Sequence, residues 1–341
     1  MGVDFGKIVE KKEVSLDSLA GRIIGIDSFN ILYQFLSSIR GQDGTPLMDS
    51  QGRVTSHLTG LLYRTANIVE RGIKPIFVFD GEPSKLKEKT RAERRRIRTD
   101  AAKKFDEAKA ADDKEGMRKY AQQSLKLTGE MIEEAKELAK LLGFPVINAA
   151  SEGEAQISFM AKKGEVYACA SQDYDALLFG SPRLLRNMTV TGRRKIPGKN
   201  VYIDVKPEMI ELEASVQQLG IDRKKLIWLA ALIGTDFNEK FPGIGPKRAL
   251  ALVQKFDSFE EIIKETGYEP EFDFKEIELL FLEPKHSEGY SLEFGSPDLE
   301  GAKKLLCDKH SFSEERVEKA VARIKLKMEE TGQQSRLEAW G

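Results

Sequence analysis

Short apolar runs of strand character alternate with stretches of helical periodicity through the first half of this chain, and that alternation leaves little choice of fold. "RIIGID" (22–27), "KPIFVFD" (74–80), "FPVINA" (144–149) and "VYACASQD" (166–173) are rich in Val, Ile, Phe or Tyr and read as buried strands. Between them, residues 28–40 carry Phe29, Leu32, Phe35, Leu36 and Ile39 at helical spacing, and 54–71 carry Leu58, Leu61, Leu62, Ala66 and Val69 likewise. "GEMIEEAKELAKLLGFP" closes with Gly143 as a C-cap and Pro145 just beyond. The pattern predicts an α/β fold, with a mainly parallel central sheet covered by helices on both faces.

Two regions break the alternation. Residues 81–130 form a long, charged helical stretch, and residues 215–265 read helix, turn, helix around "FPGIGPKRALALVQKF". The last residues, "KMEETGQQSRLEAWG", are polar with sparse apolar positions and read as a mobile tail. At 341 residues, one core with sizeable insertions is expected. The 54 basic residues nearly cancel 55 acidic ones, so only their distribution can indicate a partner. Two cysteines, Cys169 and Cys307, offer neither a disulfide framework nor a zinc pattern, which favours a reducing, intracellular setting. No apolar run approaches a membrane span, and "MGVDFGKIVEKKEVSL" lacks the apolar core of a signal peptide.

Three predicted strands end in an aspartate: Asp27, Asp80 and Asp173, with Asp175 two residues further on. Open parallel sheets bind ligands beyond the carboxyl ends of their strands. Glu152 and Glu154 follow "PVINA" and emerge at the same edge, while Asp236 in "LIGTDFN" ends the apolar run 226–233 and is a candidate seventh. Singly, an acid at a strand end is more often a helix cap or turn residue. In particular, "ASEGEAQ" would suit a capping box, with Ser151 as N-cap and Glu154 as its partner three residues on. That reading leaves Glu152 without a role, and Gly153 costs a first turn roughly 0.5–1 kcal/mol against alanine. Together the acids point to a metal site, because packed like charges destabilise a fold unless cations neutralise them. Carboxylates without His or Cys suit hard ions, Mg²⁺ or Mn²⁺. Two such ions would supply +4 against −7 and would suit phosphodiester hydrolysis, with the capping box able to coexist.

"KLKEKTRAERRRIRTDAAKK" (85–104) holds ten Lys or Arg against three acids, directly after Asp80. Such a run is either a solvated helix or a phosphate-binding face. Lys87 and Arg94 lie seven apart, two turns along one face, and are the best placed to meet a scissile phosphate. In "GIGPKRA" (243–249), Gly243 and Gly245 precede a helix N-terminus whose N–H groups would face a phosphate, with Lys247 and Arg248 adding charge.

These motifs, in order, resemble the structure-specific flap endonucleases over nearly the whole chain: "MGVDFGKIV", "GIDSFNILYQFL", "TSHLTGLLYRT", "GIKPIFVFDGEP", "ASEGEAQ", "SQDYDALLFG", "LIGTDFN" and "GIGPKRA". The resemblance implies a PIN-like nuclease core over 1–265, with a helical arch at about 81–130 and a helix–two-turn–helix element at about 215–265 that grips duplex DNA, often with bound K⁺. A helical region over 266–325 and a flexible tail over 326–341 would follow. It implies that Asp27, Asp80, Glu152, Glu154, Asp173, Asp175 and Asp236 hold two Mg²⁺ and that Lys87 and Arg94 are the arch-base cations, joined by Arg98. Tyr33 matches the aromatic on which the terminal base pair stacks, and it reads equally as a core residue of its helix. Arg40, Thr55 and Ser56 fall where the family handles DNA near its 3′ flap. Gln334, Leu337 and Trp340 are similar to the family's sliding-clamp (PCNA) box, although the usual second aromatic is replaced by the final Gly341. The implied protein is a monomeric, archaeal-type nuclease acting on branched DNA with a 5′ flap in replication and repair.

Two other functional classes compete with this reading. "CASQDYDALLFG" is superficially similar to the Asp-x-Asp of haloacid-dehalogenase phosphatases, which would leave Asp27, Asp80 and the arginine run without a role. A non-catalytic DNA- or clamp-binding protein has no use for seven gathered acids.

Overall fold

In a computed structural model, which describes residues 3–41, 45–189, 192–195 and 202–338, the alternation becomes a seven-stranded sheet. Its strands are β1 (Lys12–Glu13), β2 (Ile23–Asp27), β3 (Lys74–Phe79), β4 (Val146–Asn148), β5 (Ala168–Ala170), β6 (Arg183–Arg186) and β9 (Glu208–Glu211). β7 (Gly192–Lys195) and β8 (Tyr202–Val205) form a separate antiparallel hairpin. The order β1-β9-β6-β5-β2-β3-β4 is parallel from β6 to β4, while β9 and β1 add an antiparallel edge.

Alternate strand residues feed two cores. Ile24, Ile26, Phe77 and Phe79 face a layer containing α1 (Ser28–Ser38), α2 (Ser56–Glu70) and α5 (Gly129–Leu141). Ile76 and Val78 face α6 (Gly153–Lys162), α7 (Asp175–Leu178) and α9 (Arg223–Ile233). Two apolar faces explain why the strands read as nearly continuous hydrophobic runs rather than alternating ones. α14 (Glu314–Glu338) packs against α2 and completes the first layer. None of the described helices is long and apolar enough to cross a membrane.

The structure moves several expected boundaries. α1 ends at Ser38, two residues early, because Ile39 turns extended and Arg40 forms an antiparallel bridge with Pro46. The charged stretch is two helices, α3 (Glu88–Ala110) and α4 (Lys114–Gln123), packed on each other. Between them Asp112 takes φ 51, and the Asp113 carboxylate caps α4 by accepting from the N–H of Glu115 and Gly116. β5 covers only three of the eight residues expected. Past it, Ser171 Oγ accepts the Asp173 N–H at 3.2 Å and turns the chain. The 215–265 region resolves into α8 (Leu212–Leu219), α9, α10 (Pro246–Lys255) and α11 (Phe259–Thr266), followed by α12 (Phe274–Leu282) and α13 (Leu299–Lys303). α14 continues helically through most of the stretch expected as a tail, so Gln334 and Leu337 lie on a helix; Trp340 falls outside the described residues.

α1 and α2 meet at Gly60, where an added Cβ would lie 2.2 Å from Cγ and 2.7 Å from Cβ of the fully buried Phe35. That overlap involves the ring's root, which no rotamer removes. Gly60→Ala should therefore destabilise the fold by about 1–3 kcal/mol despite alanine's better helix propensity. Urea unfolding is the check, and an unchanged midpoint would contradict the packing described.

Candidate active site

The chain leaves β2 for β3 and β4 on one side of it and returns as β5 on the other. Such a reversal opens a crevice at the carboxyl ends of the two diverging strands. Asp27 ends β2, Asp80 follows β3, and Asp173 and Asp175 follow β5. Glu152 and Glu154 open α6, beyond β4, and Asp236 lies three residues past α9. Electrostatic coupling links all seven. Asp27 feels Asp80 and Asp173, Asp80 feels Glu152, Asp175 feels Asp173 and Asp236, and Glu154 feels Asp175, Asp27 and Asp173.

Each acid is held by a specific local device. The Asp27 carboxylate caps α1 by accepting the Asn30 N–H at 3.1 Å, while Ser171 donates to its other oxygen at 3.3 Å. Asn30 Nδ2 donates to Asp173 Oδ2 at 3.1 Å, and Asn30 Oδ1 accepts from the Gln172 N–H at 3.2 Å. Sequence reasoning missed Asn30, although its place one turn after a strand-end aspartate was the available signal. The Asp175 carboxylate accepts the Val3 N–H at 3.0 Å.

The opening of α6 is not a capping box. Glu152, not Ser151, is the N-cap residue, and its side chain makes no cap bond. The Gly153 N–H instead donates to Asp80 Oδ1 at 2.7 Å, and a Cβ on Gly153 would meet that oxygen at 2.9 Å. The glycine lets a carboxylate from β3 dock on the helix N-terminus, where the helix dipole and the free N–H favour it. Its helix-propensity cost is explained by that contact.

Burial and crowding set the titration of the cluster. Burial first, then repulsion from Asp80, holds Asp27 well above the ordinary carboxylate range. Burial and then Glu152 push Asp80 to about 6. Burial, Asp173 and Asp236 push Asp175 to about 7, and burial, then Asp175, hold Glu154 well above its ordinary value. Asp236 runs the other way. Burial would raise it, yet Arg94 donates through Nη2 to both its oxygens at 2.6 Å and helps hold it below its usual value. Lys87 pairs with Glu152 and sits 4.8 Å from the centroid of the Phe237 ring. Burial would lower Lys87, but Glu152 more than offsets it and keeps the amine charged.

The donor set is that of a hard divalent ion. All of its donors are carboxylate oxygens, and Glu154 Oε1 is buried with no hydrogen-bond partner in the protein, a place that a cation or a water would fill. Among the described residues no three acids close around one point as ligands of one ion do, and Lys87 and Arg94 are paired with two of them. The set fits the ion in kind and charge.

Other expected residues are distributed around this crevice or away from it. Arg98 donates to Tyr33 OH at 3.4 Å, and Tyr33 is half-buried against the first core. Thr55 and Ser56 are buried, with the Ser56 hydroxyl donating to Ile39 O and accepting the Leu47 N–H. They shape the loop between α1 and α2. Arg40 Nε donates to Ser37 O at 3.0 Å. Gly243 takes φ 67, Gly245 is the N-cap residue of α10, and Lys247 and Arg248 are exposed on its first turn.

A carboxylate whose folded-state value is raised destabilises the fold once ionised. Stability from this cluster is therefore fully present below about pH 4 and falls as pH rises through about 6 to 7. Asp175→Asn removes one such charge and keeps an oxygen for Val3. In metal-free buffer the variant should gain on the wild type between pH 5 and 8, by on the order of 1–3 kcal/mol at the upper end. Paired thermal melts across that range test this, and a variant that loses ground as pH rises would refute it.

The chain matches the XPG N-terminal domain over residues 1–101 and the XPG I-region over 143–236. It is 51% identical to flap endonuclease 1 of Thermococcus onnurineus over 341 residues, covering 100% of this chain and 99% of that protein. Against flap endonuclease 1 of Pyrococcus furiosus the identity is again 51%, over 342 residues, with 100% and 99% covered. The solved flap endonuclease-1 of Methanococcus jannaschii superposes with a TM-score of 0.78 at 42% identity, covering 96% of this chain and 99% of that one. The acids at the sheet's switch point, the basic helices beside them and this full-length likeness together establish that the chain belongs to the flap endonuclease family.

Proposed function

We propose that the protein is a structure-specific endonuclease that hydrolyses a DNA phosphodiester near the junction of a 5′ flap with duplex. A 5′–3′ exonuclease activity and roles in Okazaki-fragment maturation and repair accompany this reading. One observation carries it: seven carboxylates from five separate segments share one crevice with two cations from the base of α3.

Asp27, Asp80, Glu152, Glu154, Asp173, Asp175 and Asp236 would hold two Mg²⁺, with Mn²⁺ able to substitute. When bound, such ions supply hydroxide at neutral pH and neutralise charge developing on the phosphate. Lys87 and Arg94 now neutralise Glu152 and Asp236. With substrate present they would exchange these carboxylates for the oxygens of the attacked phosphate, whose charge grows in the transition state. Tyr33, with Arg98 against its hydroxyl, offers a ring face to the end of the base stack.

Duplex contact on the far side is assigned to Gly243, Gly245, Lys247 and Arg248, whose backbone N–H groups and charges suit a phosphate, with K⁺ able to join there. The loop held by Arg40, Thr55 and Ser56 meets the DNA on its 3′ side, presenting Met48, which is half exposed. Gln334, Leu337 and Trp340 form the sliding-clamp contact. The protein acts as an intracellular monomer, with 1–265 as nuclease core, 266–325 packing on it and 326–341 as the clamp-binding end.

Cleavage of end-labelled 5′-flap DNA should require Mg²⁺ and stop in EDTA. Lys87→Ala and Arg94→Ala should each slow the single-turnover rate by about 10²–10³ without moving the cut. Cleavage that persists in EDTA, or an Asp173→Asn variant cutting as fast as the wild type, would sink the assignment.

A further inference from the structure

Outside the carboxylate crevice, two of the chain's three histidines converge on one buried glutamate. His310 Nε2 lies 2.8 Å from Glu134 Oε1 on α5, and His310 Nδ1 lies 3.1 Å from Asp49 Oδ2 in the loop between α1 and α2. His57, fully buried at the start of α2, sits 3.6 Å from the other Glu134 oxygen. Lys309 Nζ reaches Glu134 at 2.6 Å and Glu130 at 3.8 Å. From the loop, Arg53 donates to Asp49 at 2.7 Å and its guanidinium also reaches the Lys309 carbonyl. The hydroxyls of Ser50 and Ser311 meet at 2.7 Å, and Ser311 holds a left-handed φ of 59 to do so.

This network ties the loop 45–55 to the segment ahead of α14. The Asp49 carboxylate also accepts the N–H groups of Gln51 and Arg53 at 2.9 Å, so it organises the loop's own turn. Carboxylates only accept hydrogen bonds. Both nitrogens of the His310 ring face carboxylate oxygens, so a ring with one proton would aim a lone pair at a buried anion. The ring that satisfies this geometry carries both protons. Losing either breaks a buried, charge-assisted bond and turns a ring lone pair toward a carboxylate. The permanent charges of Lys309 and Arg53 remain, but Lys309 pairs with Glu134 and Glu130 and Arg53 with Asp49, so neither joins Asp49 to Glu134.

We propose that His310 is a positioning residue, whose doubly protonated ring clamps Asp49 to Glu134 and thereby fixes the shape of the loop 45–55 where it meets the 3′ side of branched DNA. This rests on the reading of that loop as a DNA contact given above. Nothing in the clamp touches the reacting phosphate, so it acts on binding and leaves the chemical step alone.

The test compares wild type, His310→Gln and His310→Lys. His310→Gln should speed hydrogen–deuterium exchange across 45–55 and raise KM for a 5′-flap duplex about tenfold, with kcat within about twofold. His310→Lys, which keeps a positive charge, should recover most of the loss. Should His310→Gln not fold, Arg53→Met, at a partly exposed site, carries the same two readouts. Unchanged exchange in the loop overturns the clamp. Faster exchange with unchanged KM overturns its role in binding, as does a parallel fall in kcat. The flap-cleavage reading fails separately, through the wild type's own cleavage in Mg²⁺.

Discussion

Repulsion among carboxylates held away from water is the interaction on which the rest of this molecule depends. Asp27, Asp175 and Asp236 are each less than a tenth exposed, and every ionised neighbour makes the next ionisation harder. The fold answers this with donors fixed by its own backbone. The N–H groups of Asn30, Gly153 and Val3 each meet one carboxylate, and two of the three belong to the first turn of a helix. Lys87 and Arg94 add charge without closing the crevice. What remains is a surplus of negative charge that cations relieve, so the same unfavourable energy that weakens the metal-free fold becomes affinity for divalent ions.

The arch helices take part in this balance. Arg94 grips the Asp236 carboxylate while Thr90 Oγ1 donates to the Asp236 backbone carbonyl at 2.8 Å. α3 is thus tied by side chain and main chain to the turn leaving α9. On the opposite layer, the His310 network does comparable work for the loop 45–55. Both insertions that would meet DNA are therefore anchored through buried or half-buried acids, and electrostatics fixes segments for which the hydrophobic core provides little. α3 itself buries only Ala101 and Ala108.

Much of this was readable from the residues because the parallel sheet writes its geometry into the sequence. Asp27 and Asp80 follow continuous apolar strands, and a strand of that kind has one place to end. Asp173 was harder. Its strand stops at Ala170, and a hydroxyl-closed turn carries it into the crevice, which no periodicity encodes. "RLLR" and "EMIE" were missed as strands because four residues with charged ends carry too little pattern, and their pairing with each other is long-range. The capping box failed for an instructive reason. Local rules matched Ser151 with Glu154, but the helix starts one residue later, with Glu152 as N-cap residue and a carboxylate just past a strand, 73 residues earlier, docked on the Gly153 N–H. Ser56 lies in the loop expected near substrate, and its hydroxyl fastens that loop through two backbone partners, an arrangement that no periodicity encodes.

The centre is assembled from residues spread between Asp27 and Asp236 of a 341-residue chain. β5 inserts beside β2, more than 140 residues after it, so the crevice cannot close until both have been made. During synthesis the emerging chain carries isolated acids and a loose basic helix but no complete cutting site. Non-local pairing of this sort is slow to form. It also means that fragments released by early termination would be catalytically silent, a safeguard that a hydrolase of genetic material obtains from its topology alone.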